Sequence, residues 1–310
     1  MSAPALDAEG LRARSLVLRA LRRWFDDHGY LEVPTPVRVP SPALEEHLYA
    51  LHAQGAALRT SPEFALKRVL AAGLPRIYEI GPCFRGREGG PWHGTEFTML
   101  EWYRAGAELP DLMDDVTSLV AAAAEAVGRP PPAPWRRWSV RDLVLDRTGL
   151  DLAHAGVVEI QRAAGAPVDA DEPWDDAFFR LWLDAVEPTL EPAVFVEDWP
   201  ATQAALATVR TDGPWPVACR FEAYLHGVEL ANAFLELTDP RELARRFAAS
   251  ASTRAEAGEP PHPVDTALLS ATGRMPRTSG IALGVDRLVA AVMGWTGIGP
   301  GRVAVDVPPA

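Results

Sequence analysis

The chain has 310 residues, of which 48% are hydrophobic and 23% charged, and a formal net charge of −12. A chain of this size buries a core without staples, and its composition excludes a disordered or membrane-spanning class, because no apolar run approaches the ~18 residues of a span. The acidic balance argues against broad binding to nucleic-acid backbones. The two cysteines, Cys83 and Cys219, have no metal-ligand spacing and read as small buried residues in a reducing, cytoplasmic setting.

Leu11 to His28 has the apolar period of an amphipathic helix and is stopped by Gly29. Its acidic flanks, Asp7, Glu9, Asp26 and Asp27, set it apart from a targeting peptide. Tyr30 to Val39 is β-prone but broken by Pro34, Pro36 and Pro40, as at a sheet edge. Ser61-Pro62-Glu63 opens the next helix, with serine at the N-cap and proline at the first helical position. On those grounds alone Glu63 is an acid that stabilises a helix start. Arg76 to Arg85 and Glu96 to Arg104 are β-prone runs on either side of a loop rich in glycine and charge.

Glu108 to Val127 reads as a helix. Trp135 to about Pro216 is acidic, proline-interrupted and mainly helical, and is taken as an insertion within one domain spanning residues 1–310. Ala166 to Pro200 holds ten Asp/Glu against Arg180 alone. Trp215 to Glu236 returns to a β pattern, with His226-Gly227 as the turn of a hairpin. Asp239 to Ala257 and Asp265 to Thr272 are helices, and Gly280 to Met293 runs from a strand into a helix.

The run Glu96 to Arg104 carries the first chemical signal. Strand alternation puts Phe97, Met99, Glu101 and Tyr103 on one face, and Thr98, Leu100, Trp102 and Arg104 on the other. A glutamate among Phe and Met is neither an ordinary core face nor an ordinary solvent face. It reads as a pocket floor that stacks a flat ring at one end and holds a cation at the other.

Three segments resemble class II aminoacyl-tRNA synthetases, and within them the lysyl branch. They are Gly81 to Arg104 (motif 2), Gly227 to Leu237 (GVELANAFLEL) and Ser279 to Leu288 (SGIALGVDRL, motif 3). Gly29 to Pro36 resembles motif 1 more weakly. The resemblance extends to the short, tRNA-independent members that join β-lysine to a lysine of translation elongation factor P. It implies an α+β fold, an antiparallel sheet flanked by helices, and a homodimer formed through motif 1. About 28 residues precede motif 1, so an anticodon-binding domain, and with it tRNA, is not expected.

The resemblance also implies roles. Arg85 would bridge the ATP α-phosphate and the substrate carboxylate, and Arg287 would contact the γ-phosphate and cover the adenine; these are the catalytic candidates. ATP contacts would come from Arg85, Arg87, His93, Phe97, Glu229, Leu230, Gly284 and Arg287, with Mg²⁺ on Glu222 and Glu229. Ser61, Glu63, Glu101, Tyr103, Asn232 and Glu236 would hold the substrate. Arginine suits the first task because its planar fork binds phosphate and carboxylate in pairs of hydrogen bonds. Several carboxylates in one cavity repel one another, and a substrate with two ammonium groups, lysine or β-lysine, resolves this.

Three features stand apart from that pattern. Arg87 replaces the acid expected at the adenine amino group, where Glu88 would serve if the loop shifts by one residue. Gly94 replaces an asparagine. Glu229 has the opposite strand parity to Asn232 and Glu236, which requires a bulge or a wrong assignment. The expected activity is ATP-dependent formation of a β-lysyl-type adenylate and its transfer to elongation factor P. Two alternatives stay open at this point: a ligase for α-lysine with another acceptor, and a non-catalytic sensor of an amino acid or nucleotide.

Overall fold

Asp7 sets the start of the first helix, α1 (Ala8–Asp27), by accepting a hydrogen bond from the Gly10 amide at 2.9 Å. Its apolar stripe, Ala13, Val17, Leu21 and Phe25, is buried, and Gly29 follows its end at φ +71°. The structure, a computed structural model, describes residues 7–42 and 48–303. Beyond α1, the edge strand β1 (Leu31–Glu32) is two residues long. A small sheet of β2 (Arg38–Val39), β3 (His52–Ala53) and β4 (Ala56–Leu58) comes next. Helix α2 (Glu63–Ala71) starts one residue later than the sequence implies. Pro62 precedes it, and Ser61 Oγ accepts from the Glu63 amide at 2.9 Å.

The expected long hairpin is present as β5 (Arg76–Phe84) and β6 (Glu96–Ala105), followed by α3 (Leu109–Ala126). The acidic segment supplies helices α4 (Val140–Thr148), α5 (Val157–Ala163) and α6 (Trp174–Leu181). It also supplies strands β7 (Arg136–Ser139), β8 (Ala193–Pro200) and β9 (Val209–Arg210), which sequence reading did not separate. The reason is visible in β8: Phe195 faces one core while Val194 and Val196 face another. A strand buried on both faces shows no polar alternation.

Strands β10 (Val217–Leu225) and β11 (Val228–Leu235) form the second hairpin. His226 (φ 53°) and Gly227 (φ 76°) make its turn, both left-handed as a tight two-residue turn requires. Helices α7 (Pro240–Glu256) and α8 (Thr266–Thr272) follow. Strand β12 (Thr278–Gly284) then runs directly into α9 (Val285–Met293).

The main sheet has the order β1-β5-β6-β12-β11-β10-β8-β7, with β9 beside β10. The fold is α+β, as expected. The sheet is not wholly antiparallel, however: β1 runs parallel to β5 at one end and β7 parallel to β8 at the other. Helices α1, α3 and α9 cover one face, over Leu100, Trp102, Phe221, Ala223, Ile281 and Leu283. Beside the opposite face, the acidic segment builds its own core around Val140, Phe178, Trp182, Val196, Trp199 and Tyr224. No helix among the described residues is long and apolar enough to cross a membrane.

Candidate active site

The uncovered part of the sheet holds a cavity of about 370 Å³. Phe97, Met99, Glu101 and Tyr103 of β6 all border it, as their alternation predicts, while Leu100 and Trp102 point into the helix-side core. Gly280, Ala282 and Gly284 of β12 lie beside them. Gly280 permits a close approach: a Cβ there would stand 2.3 Å from both Glu236 Oε1 and Tyr103 Cε1.

The parity conflict on β11 has a structural answer. Ala223 pairs with Ala231 but Tyr224 pairs with Glu229, so Leu230 is an extra residue. This bulge resets the alternation, and Glu229, Leu230, Asn232 and Glu236 all border the cavity.

One end of the cavity is buried and acidic. Ser61 Oγ donates to Glu101 Oε1 at 2.6 Å, and Tyr103 Oη donates to Glu101 Oε2 at 3.1 Å. Lys67 of α2 stands behind the carboxylates of Glu63 and Glu236 and does not itself border the cavity. Its Nζ lies 2.6 Å from Glu63 Oε1 and 2.5 Å from Glu236 Oε2. Each contact is a close ammonium–carboxylate pair, and a carboxylate oxygen that accepts one such donor has a second lone pair.

Burial, reinforced by the charge of Glu63, pushes the Glu101 carboxyl up to about 8 against the pull of Ser61, Tyr103 and Lys67. Burial raises Glu236 as well, and Lys67 opposes it. Burial would lower the Lys67 ammonium, but Glu236 and Glu63 outweigh it and hold the group charged. Asn232 Oδ1 accepts from Arg220 Nε at 3.1 Å.

The other end is open and basic. Arg85 lies 5.1 Å over the Phe97 ring and makes no ion pair among the described residues. Arg287 pairs with Glu229 Oε2 at 3.3 Å, donates to the Glu229 carbonyl at 3.0 Å and meets His93 Nε2 at 2.5 Å. Burial and the Arg287 charge lower the His93 pKa, which favours a neutral ring accepting from the guanidinium. Gly284 completes this wall.

Glu222 accepts from Tyr224 Oη at 2.5 Å and is also bonded by Arg220. Burial pushes the Glu222 carboxyl up to about 7 against the pull of Arg220, and the charge of Glu229 adds to the rise. No group of three or more His, Cys, Asp or Glu arranged to hold a metal occurs among the described residues. Two hard carboxylates at this end still fit Mg²⁺, provided nucleotide phosphates complete its octahedral shell.

Of the residues singled out in the sequence, Arg87 alone does not border the cavity. It has φ +60°, its guanidinium lies 3.7 Å over the Tyr49 ring, and it pairs with Glu259 at 2.8 Å. Glu88, the next residue, borders the cavity instead. At Gly94 a Cβ would stand 2.2 Å from Arg302 Nη1, so the Arg302 guanidinium occupies the space a side chain would need.

Residues 7–299 match the family model described as tRNA synthetases class II (D, K and N). The chain belongs to this class II synthetase family. It is 39% identical to the elongation factor P–(R)-β-lysine ligase of Erwinia tasmaniensis, over 92% of this chain and 91% of that protein. It is equally identical to the protein of that name from Edwardsiella ictaluri, over 92% and 91%. The protein of that name from Yersinia enterocolitica is 36% identical, over 94% and 93%.

Two charged residues, Lys67 behind the cavity wall and Arg220 on it, escaped sequence reasoning. Lys67 stands four residues after Glu63, a spacing that puts both on one side of a helix, and it is the only lysine among 30 Lys+Arg. Arg220 lies two residues before Glu222 on β10, on the same face.

Proposed function

We propose that the protein uses ATP to activate a β-lysine-like diamino acid as its adenylate, and then transfers the acyl group to a lysine side chain of translation elongation factor P. The observation that carries this reading is the buried acidic end, where Glu63, Glu101 and Glu236 meet. A neutral amino acid would leave buried carboxylates without partners, at a cost of about 1–3 kcal/mol each. Two ammonium groups supply those partners. Ala282, opposite Glu101 and Asn232 in the sheet register, shapes the floor between the two ends.

In the first step a substrate carboxylate oxygen attacks the α-phosphorus and pyrophosphate leaves. In this reading Arg85 would hold both reacting groups, and Arg287 would meet the departing phosphates. Mg²⁺, when bound at Glu222 and Glu229, neutralises phosphate charge. In the second step the acceptor ε-amine attacks the acyl carbon, AMP leaves, and the amine proton passes to solvent. No side chain of this site acts as a nucleophile. Catalysis is positioning and charge stabilisation. The names of the relatives supply the acceptor, and the resemblance at Gly29 to Pro36, where Leu31 is 51% exposed, supports a homodimer.

The test is intact-mass analysis of elongation factor P after incubation with this protein, ATP, Mg²⁺ and (R)-β-lysine. One β-lysyl increment, absent without ATP, is expected. Adenylate formation without any transfer would overturn the acceptor and leave the lysyl-type ligase with another acceptor in its place.

A further inference from the structure

The only lysine of the chain is part of the pocket's charge, not of its surface. Lys67 is held between Glu63 and Glu236, and its side chain is 5% exposed. Glu101 faces the same space and, among the described residues, is bonded only by the hydroxyls of Ser61 and Tyr103. Three carboxylates thus share one fixed ammonium.

We propose that Lys67 is a built-in countercharge that sets the number of positive charges a substrate must bring: three carboxylates less one ammonium leave room for two, the number a diamino acid carries. This inference rests on the proposed substrate class. Lys67 is a positioning residue, because it acts on the substrate through the two carboxylates it holds ionised.

Groups on the neighbouring elements do not supply this charge. On α8's side, Asp265 lies 3.9 Å from Arg68. On β5, Glu79 is taken by Arg59 at 2.7 Å. On α7, Glu242 is held by Arg245 and Arg246. The charged groups that act on Lys67 are therefore Glu63 and Glu236, which it touches, and Glu101 beyond them. Glu236, which Lys67 neutralises through Oε2, keeps lone pairs for the substrate, because a carboxylate offers about four acceptor sites.

The consequence is a proton count. In the free protein Glu101 takes up a proton readily, and a diamino acid displaces it. Without Lys67, Glu63 and Glu236 would stand together uncompensated and share one further proton. Binding a dication would then displace about one more proton than in the parent protein.

The experiment is calorimetric titration of Lys67→Met and of the parent protein with β-lysine, in buffers of different ionisation enthalpy. For Lys67→Met we expect about one additional proton released at neutral pH, a KM for β-lysine raised by roughly tenfold or more, a steeper acid limb of kcat/KM, and an unchanged KM for ATP. Lys67→Arg, which keeps the charge, should keep the parent proton count. An unchanged proton count and acid limb in Lys67→Met would overturn the proposal, as would equal weakening toward ATP.

A second measurement needs no variant. Lysine labelled with ¹³C at Cε gives one side-chain resonance in this single-lysine chain. It should report a charged amine from neutral pH to above 10 and shift on adding β-lysine but not alanine. A neutral amine, or no response to β-lysine, would contradict the proposal whether or not the protein proves catalytic. Failure of the diamino-acid reading itself would show differently, as absent β-lysine binding in the parent protein.

Discussion

The two ends of one cavity follow opposite rules. At the buried end the charges are linked but only part-balanced: Lys67 joins Glu63 to Glu236, while Glu101 is held by the hydroxyls of Ser61 and Tyr103. At the open end Arg85 makes no ion pair among the described residues, and Arg287 is held by the backbone carbonyls of Trp92 and Glu229, by His93 and by a 3.3 Å pair with Glu229 Oε2. The buried end is prebuilt because desolvated charges without partners are costly. The open end needs less internal charge balance because neutral acceptors and solvent support its guanidinium groups. On the proposed function, substrate selection would lie in the buried, hydrogen-bonded region, and nucleotide handling in the accessible one with a glycine-rich loop beside it.

Removing Arg85 breaks the open end most severely. Arg85→Ala should lower pyrophosphate exchange on the order of 10²–10³-fold, mainly in kcat, as steady-state exchange kinetics will show. A loss below tenfold would remove Arg85 from the reacting groups.

Glu236→Gln attacks the buried end. It should raise the KM for the diamino acid by roughly 10–100-fold while leaving the KM for ATP unchanged, so that the two ends separate in a single kinetic experiment. Unchanged kinetics would count against the pocket assignment. Gly280→Ala should act in the same direction, because its new methyl would force Tyr103 and Glu236 apart. Overpacking of this kind also costs about 1–3 kcal/mol of stability, readable as a lower Tm. A variant with parent Tm and parent KM would show that the contact relaxes freely.

The ends also differ in pH response. Glu101 holds its proton up to about 8 in the free pocket, so at pH 7 it is mostly neutral, and a ligand ammonium requires it ionised. Affinity for the diamino acid should therefore rise as pH increases toward 8, by up to about tenfold per unit, and level off above. A flat profile over that range would contradict the assignment. The smallest effect belongs to Arg87, which lies outside the cavity against Tyr49 and Glu259. Arg87→Ala should change the KM for ATP by less than about threefold. A larger rise would mean that the loop reorganises when nucleotide binds.

Much of this was legible in the sequence, for identifiable reasons. Alternation alone placed Phe97, Met99, Glu101 and Tyr103 on one wall, and His226-Gly227 marked its hairpin because both residues accept left-handed backbone. Parity exposed a conflict at Glu229 but could not place the bulge at Leu230, which depends on pairing between strands. Strand β8 was hidden by burial on both faces. The position of Arg87 depended on a loop whose path is set by Tyr49 and Glu259, distant in sequence. Lys67 was missed because its helix spacing to Glu63 is local information, whereas its burial against Glu236 is tertiary. That omission also changes the electrostatic argument: the carboxylates are not uncompensated, as their number alone implies, but are short of balance by two charges.

The measurement that tests the central claim most directly is amino-acid-dependent ATP–pyrophosphate exchange with Mg²⁺, comparing (R)-β-lysine, (S)-β-lysine, α-lysine, arginine and alanine. Strong exchange with a β-lysine, weaker exchange with α-lysine and none with alanine is the predicted result. Exchange with alanine at the level of the diamino acids, or no exchange with any of the five, would contradict a buried end built to receive two ammonium groups.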